Sequence, residues 1–156
     1  MKPISATILG TALLGAPVAA QSATVTLNTT LNAYGGPGAY LSLYVTDAGG
    51  KYMGSLWMAG GKAKYYSHLT GWYQATRGNV AEVNGITGAS VGAGQDLSLK
   101  LNLSDAIFDQ GYFLHIDSSV ENWGDMPNEV VIPLDSSQSG KAVAGKRFVR
   151  SFSFTK

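Results

Sequence analysis

Seven consecutive residues, Asn84, Gly85, Ile86, Thr87, Gly88, Ala89 and Ser90, combine amide and hydroxyl side chains with very little steric bulk. Ser90 offers an alcohol oxygen that a modifying enzyme can esterify. Gly88 and Ala89 before it leave room for a second molecule to approach. Thr87 and Asn84 carry side chains of the kind that fix a loop by bonding to nearby backbone. Asn84 and Gly85 tolerate positive φ, so the pair favours a hairpin turn. The small-residue composition of 78–94 predicts an exposed loop. As plain structure the stretch is a turn; as chemistry it presents a hydroxyl with little bulk around it.

Rings and charges lie nearby in sequence. Trp57, Tyr65, Tyr66, Trp72 and Tyr73 stand on either side of Gly60–Gly61. Flat apolar rings stack on planar cofactors, and Trp57 and Trp72 are the candidates for that role. The same residues equally suit core packing in a small protein. Lys62, Lys64 and Arg77 can meet a phosphate. His68 and His115 are the two histidines of the chain. With Met53, Met58 and Met126 they are donor types used by exported copper carriers. No pair has a ligand spacing, however, and no metal site is assigned. Asp117, Glu121, Asp125, Glu129 and Asp135 gather late in the chain. Calcium favours such oxygen donors, but the spacing is not that of an EF-hand loop, and a solvated strand edge is the simpler reading. There is no paired-histidine metal motif or phosphate loop. The chain reads as a carrier or binder rather than a catalyst.

These residues must be held by a chain of 156 residues, a length that suits one domain. Met1, Lys2 and Pro3, the apolar run 4–18 and the small residues Val18, Ala19 and Ala20 read as a secretory signal peptide, 1–20. Cleavage after Ala20 is expected, with Ala23 as the alternative. The body, 21–156, is then a single domain outside the cytoplasm, with no later apolar run long enough to span a bilayer. Loss of Lys2 with the leader brings the formal charge from +1 to zero. Charged residues make up 13% of the chain, well below the usual quarter, so nothing favours nucleic acid. Cysteine is absent. That excludes c-type haem attachment, iron–sulfur ligation and thiol redox chemistry, and it leaves an exported protein to be held by its core alone.

Period-two alternation dominates the body. Val25, Leu27, Thr29 and Leu31 predict a first strand. Leu41, Leu43 and Val45, then Tyr52 to Met58, predict a hairpin about Asp47, Ala48, Gly49 and Gly50. Leu97, Leu99, Leu101 and Leu103 give the clearest half-buried strand. Tyr112, Leu114 and Ile116 predict another, Glu129 to Leu134 a short apolar one, and Phe148, Phe152 and Phe154 the last. Tyr65, Leu69, Trp72 and Tyr73 recur at helical spacing, although Gly71 weakens a helix there. The Ser- and Gly-rich stretch 135–145 predicts a mobile loop. The fold class is all-β: an antiparallel β-sandwich, with the immunoglobulin type as one form of it, and at most one short helix.

The stretch ending at Ser90 resembles the acceptor motif of proteins that receive flavin mononucleotide (FMN) through a phosphoester bond. That motif runs Asp, small, any, Ser or Thr, Gly, Ala, then Thr or Ser. The resemblance implies attachment at Ser90, with Asn84, Gly85, Thr87, Gly88 and Ala89 forming the recognised loop. Asn84 stands where the motif has Asp, and Ser90 where Thr is usual. The body, 23–154, is similar to the periplasmic family called domain of unknown function 2271. Leu56, Trp57, Gly60, Gly61, Lys62, Leu69, Trp72 and Tyr73 carry this similarity. So do Ile116, Asp117, Ser118, Ser119, Val120, Glu121, Pro127, Asn128, Glu129 and Val130. The resemblance implies a β-sandwich redox accessory protein: an electron carrier with covalent FMN, a flavin transferase as its modifying partner and a PepSY-type membrane protein as its redox partner. The alternative is a non-enzymatic module that binds a metal, haem or a membrane partner protein.

Overall fold

The computed structural model describes residues 4–7 and 21–156. Apart from Ile4–Thr7, the expected leader lies outside the described residues.

Among the described residues nine strands form two sheets. They are β1 (Ile4–Thr7), β2 (Ser22–Leu31), β3 (Ala39–Thr46), β4 (Tyr52–Ala59), β5 (Thr87–Gly88), β6 (Asp96–Ser104), β7 (Phe113–Val120), β8 (Gly124–Pro133) and β9 (Val149–Thr155). One sheet has the order β1-β6-β2-β9 and the other β5-β4-β3-β7-β8. The pairings are antiparallel except β1 with β6 and β5 with β4, which are parallel. The all-β sandwich follows from the alternation. In β6 every second residue is apolar, as in β2 except at Thr29, and the register sets Val25 opposite Leu101 and Leu27 opposite Leu99. These side chains meet Leu41, Leu43, Leu56, Leu114 and Ile116 of the second sheet, with Phe152 and Phe154, in one core. Each fully buried Leu or Phe contributes about 1.5–3 kcal/mol.

The strand order is not that of an immunoglobulin domain. There the first and second strands share a sheet, whereas β2 and β3 lie in opposite sheets here. The hairpin β3–β4 forms as expected, with Asp47 Oδ1 accepting from the backbone N–H of Gly49 and Lys51. β8 begins earlier than the apolar pattern indicates, because residues 124–126 pair with β7 beyond a register shift. The Ser- and Gly-rich stretch 135–145 is laid along the outer edge of β9: Gly140 N–H bonds to Phe154 and Val143 pairs with Phe152.

Helical spacing after β4 gives a 3-10 turn, Ala63–His68, and a short α-helix, α1 (Thr70–Ala75). They cover the outer face of the second sheet, where Tyr66, Leu69 and Trp72 pack with Tyr44, Met58 and Val83. This third layer explains why nearly all of β3 and β4 is buried on both faces.

Leu69, the residue preceding α1, supplies no side-chain cap. Asp117 of β7 does so instead: its Oδ2 accepts the Trp72 backbone N–H at 2.6 Å, satisfying one of the orphan donors of the first turn. Gly71 is therefore a packing requirement. A Cβ there would lie 2.7 Å from Asp117 Oδ2 and 2.9 Å from the Tyr44 hydroxyl. Helix propensity alone favours Gly71→Ala by about 1 kcal/mol. The expected result is the opposite, a loss of about 1–3 kcal/mol through overpacking, read as a lower urea midpoint. A rise in that midpoint would contradict the packing argument.

Candidate functional site

Ser90 lies at a crossing of chain segments. A 3-10 turn, Val80–Val83, leads into Asn84–Gly85. Asn84 has φ −60° and ψ 127°, Gly85 has φ +80°, and Ile86 N–H bonds to Val83. This is a type II turn, which needs positive φ only at the glycine. The expected Asn-Gly hairpin does not form, because the following strand runs parallel to β4 rather than back along its predecessor. Met58 N–H bonds to Ile86 and Gly60 N–H to Gly88. Val91 then pairs with Ala39 at the start of β3. Ala89 and Ser90 are the two residues between these anchor points. Thr87 Oγ1 donates to the Val83 carbonyl at 2.8 Å, the local side-chain bond expected of it.

Ser90 is exposed, although the residues on either side are fixed by backbone pairing. Gly38 runs beside it; a Cβ at Gly38 would sit 3.4 Å from Ser90 Oγ. The glycine of the acceptor-like stretch has another task. A Cβ on Gly88 would lie 2.7 Å from the Trp57 ring, so Gly88 admits that indole beneath the loop.

The hydroxyl opens into a cleft of about 750 Å³ lined by Tyr40, Tyr65, His68, Ser90, Trp123 and Asp125, among others. One wall is the 3-10 turn with Tyr65 and His68; the other is the β7–β8 connection, Glu121 to Trp123. Tyr40 and Tyr65 meet edge to face, with ring centroids 5.7 Å apart. The Lys64 ammonium lies 5.0 Å from the Tyr65 ring centroid. His68 Nδ1 is 3.2 Å from Asp125 Oδ2, and Ser119 Oγ donates to Asp125 Oδ1 at 2.7 Å. A chain of polar contacts thus joins both walls. The cleft offers an alcohol, flat rings and a single imidazole–carboxylate pair.

Trp57 and Trp72 do not face this cleft. Trp72 is 0% exposed and Trp57 5%. Trp72 Nε1 donates to Ser55, whereas the Trp57 indole N–H is buried without a partner among the described residues. Neither ring has a face free to stack on a ligand, so both belong to the packing. Periodicity cannot separate a core tryptophan from an exposed one on the same segment. Tyr66 is likewise buried, its hydroxyl donating to the Gly60 carbonyl at 2.8 Å. Of the aromatics near Gly60–Gly61, Tyr65 reaches the cleft.

The two histidines are apart in role. His115 stacks on Tyr44 and uses both ring nitrogens, one with Thr46 and one with Asn128. Met58 is in the third-layer cluster, while Met53 and Met126 pack on the main core. Among the described residues no three of His, Asp and Glu converge as a metal-ligand set. The late acidic residues divide between tasks: Asp125 and Glu121 line the cleft, and Asp117 and Glu129 are buried structural acceptors.

The match to known proteins spans most of this architecture. Residues 22–151 match the model of a family described as a predicted periplasmic protein, domain of unknown function 2271. The chain belongs to that family. It is thereby placed in the periplasm, and among the described residues no helix is long and apolar enough to cross a membrane. No curated protein and no solved structure matches the chain. The family match covers the acceptor-like stretch, both cleft walls and the buried carboxylates alike.

Tyr40 and Trp123 are the lining residues that spacing does not reveal. Tyr40 is hidden by its regular place at the start of a strand. Trp123 carries a detectable signal: a large ring inside an otherwise polar turn, Glu121-Asn122-Trp123-Gly124.

Proposed function

We propose that this periplasmic protein is an electron carrier with FMN esterified to Ser90. One observation carries the reading: the serine at the acceptor position of the motif is exposed and opens into the aromatic cleft. A volume of about 750 Å³ falls within the range of about 300–1,000 Å³ usual for cofactor sites. The residues present fit the group. Ser90 supplies the ester oxygen, and the pairing of Gly88 and Val91 on either side fixes its position. Tyr40 and Tyr65 supply apolar ring surface, and the Lys64 ammonium, beside the Tyr65 ring, supplies positive charge at the edge of the cleft for a phosphodiester.

Attachment is a flavin-mononucleotidyl transfer: Ser90 Oγ bonds to the flavin-side phosphorus of a flavin dinucleotide held by a flavin transferase, the pyrophosphate P–O bond breaks, the nucleoside monophosphate leaves and the serine proton passes to solvent. When bound, the FMN supplies the one- and two-electron chemistry. The protein's part is to hold it, shield one side from water and present the other to a membrane redox partner of the PepSY type. The protein is on this reading a carrier, not a catalyst.

Intact mass of the exported chain, from cells that contain the transferase, tests the proposal. The expected gain is one FMN less one water. Ser90→Ala abolishes it, and Ser90→Thr, which keeps the hydroxyl, retains it. An unmodified wild-type chain under these conditions would sink the reading.

A further inference from the structure

Trp123 is the most exposed aromatic ring lining the cleft, at 40%, whereas Tyr40 and Tyr65 are half-buried. Several features converge on keeping it there. Its neighbours Asn122 and Gly124 have φ +63° and +125°, so the turn is bent in a way L-residues rarely adopt. Trp123 N–H bonds to the Val120 carbonyl, and Arg147 Nη2 donates to the Trp123 carbonyl at 2.5 Å. The ring rests on Gly36, where a Cβ would come within 2.6 Å of it. Tyr34 supports it from the side, with centroids 5.4 Å apart. Arg147 in turn lies over Phe148, itself in the core. A solvent-facing indole fixed by this many contacts is a platform.

We infer that the cleft binds the isoalloxazine ring by non-covalent contacts, with Trp123 as the stacking wall and the His68–Asp125 pair at its polar edge. This rests on the proposed flavin reading of the same cleft and assigns the ring's position to residues outside the acceptor stretch. A planar heteroaromatic ring gains from an indole face, and a heterocycle edge carrying N–H and carbonyl groups needs both a donor and an acceptor. Asp125, held by Ser119, is the acceptor. His68 donates Nδ1–H to Asp125, so its Nε2 is the second polar contact, an acceptor in the neutral ring and a donor in the imidazolium. Tyr65 closes the opposite wall.

The experiment uses the mature chain with Ser90→Ala, which cannot be esterified, and riboflavin, which has no phosphate. Titration is followed by quenching of flavin fluorescence. Saturable quenching is expected. Trp123→Ala weakens binding about tenfold or more, while Trp123→Phe, which keeps a ring face, recovers most of it. Gly36→Ala displaces the indole without removing it and is expected to weaken binding as well. Because Trp123 lies outside the main core, its truncation leaves the thermal midpoint nearly unchanged. Riboflavin that does not bind, or that binds the Trp123→Ala protein equally well, overturns the ring site and leaves the Ser90 ester to be judged by mass. Riboflavin binding by the Ser90→Ala protein without any adduct on the wild type keeps the ring site and removes the covalent reading.

Discussion

Glu129→Ala is expected to cost about 3–5 kcal/mol, the largest effect of any single substitution considered. Glu129 is 1% exposed and its carboxylate is saturated with donors. Oε1 accepts from the Ser118 hydroxyl at 3.0 Å and from the backbone N–H of Phe148 and Val149 at 2.7 and 3.2 Å. Oε2 accepts from the N–H of Arg147 at 2.6 Å and from that of Lys146. Truncation would strand buried amides, each worth about 1–3 kcal/mol when unsatisfied. The position amplifies the loss. Glu129 lies on β8 of one sheet, and the amides it binds lead into β9 of the other, so the carboxylate staples the sandwich together. Glu129→Gln keeps the volume but turns an NH₂ toward amide donors, and about 2–3 kcal/mol is expected. Urea unfolding measures both, against a total of about 5–15 kcal/mol usual for a domain. Hydrogen exchange at 146–149 is expected to accelerate first. A loss below about 1 kcal/mol for the alanine variant would show that the staple is dispensable. Since Arg147 also holds the Trp123 carbonyl, loosening here should reach the cleft wall.

Asp117→Asn is the second large effect, about 2–4 kcal/mol. Asp117 is fully buried and each of its oxygens receives a backbone N–H: Oδ2 from Trp72 at 2.6 Å, Oδ1 from Asn128 at 2.8 Å. The Tyr44 hydroxyl adds a contact to Oδ1 at 3.2 Å. An amide can accept at one of these positions only and must turn its NH₂ toward a donor at the other. The thermal midpoint should fall by about 7–14 °C. The pH dependence carries a distinct signature. Burial raises the Asp117 carboxyl above its ordinary value, and the donated hydrogen bonds only partly offset this. The folded state therefore holds the proton more tightly than the unfolded chain. Its contribution to stability is complete below the ordinary carboxylate range and is lost as pH rises through the folded value. Wild type minus Asp117→Asn stability should thus decline as pH rises from about 4. A difference that grows with pH across that window would contradict the burial account.

The same carboxylates show where sequence stops being informative. Asp117 and Glu129 fall on stretches that match the family, yet nothing in their spacing marks them as buried. Late acidic residues read as a solvated edge or a cation site. Only the register of β7 against β8 turns two of them inward, and the amides that satisfy them come from the return of the chain at 146–149, from α1 and from Asn128 of β8 itself. Trp57 and Trp72 fail for a related reason. A tryptophan's function depends on which face of it is covered, and the covering layer comes from a segment well away in sequence.

What the residues determine by themselves is local and periodic. Alternating leucines and phenylalanines dictate strands with one apolar face, and two such faces must close on each other, so the sandwich is legible without coordinates. Helical spacing from Tyr65 to Tyr73 likewise foretells the short helix. The acceptor-like order ending at Ser90 is also a linear property. Whether that serine meets anything is not. The parallel run beside β4, the crossing to Ala39 and the approach of the Trp123 turn bring Tyr40, Tyr65, His68, Ser90 and Asp125 to one cleft. Those encounters are set by strand order and long-range pairing, which depend on the free energy of the whole core rather than on any short stretch of chain.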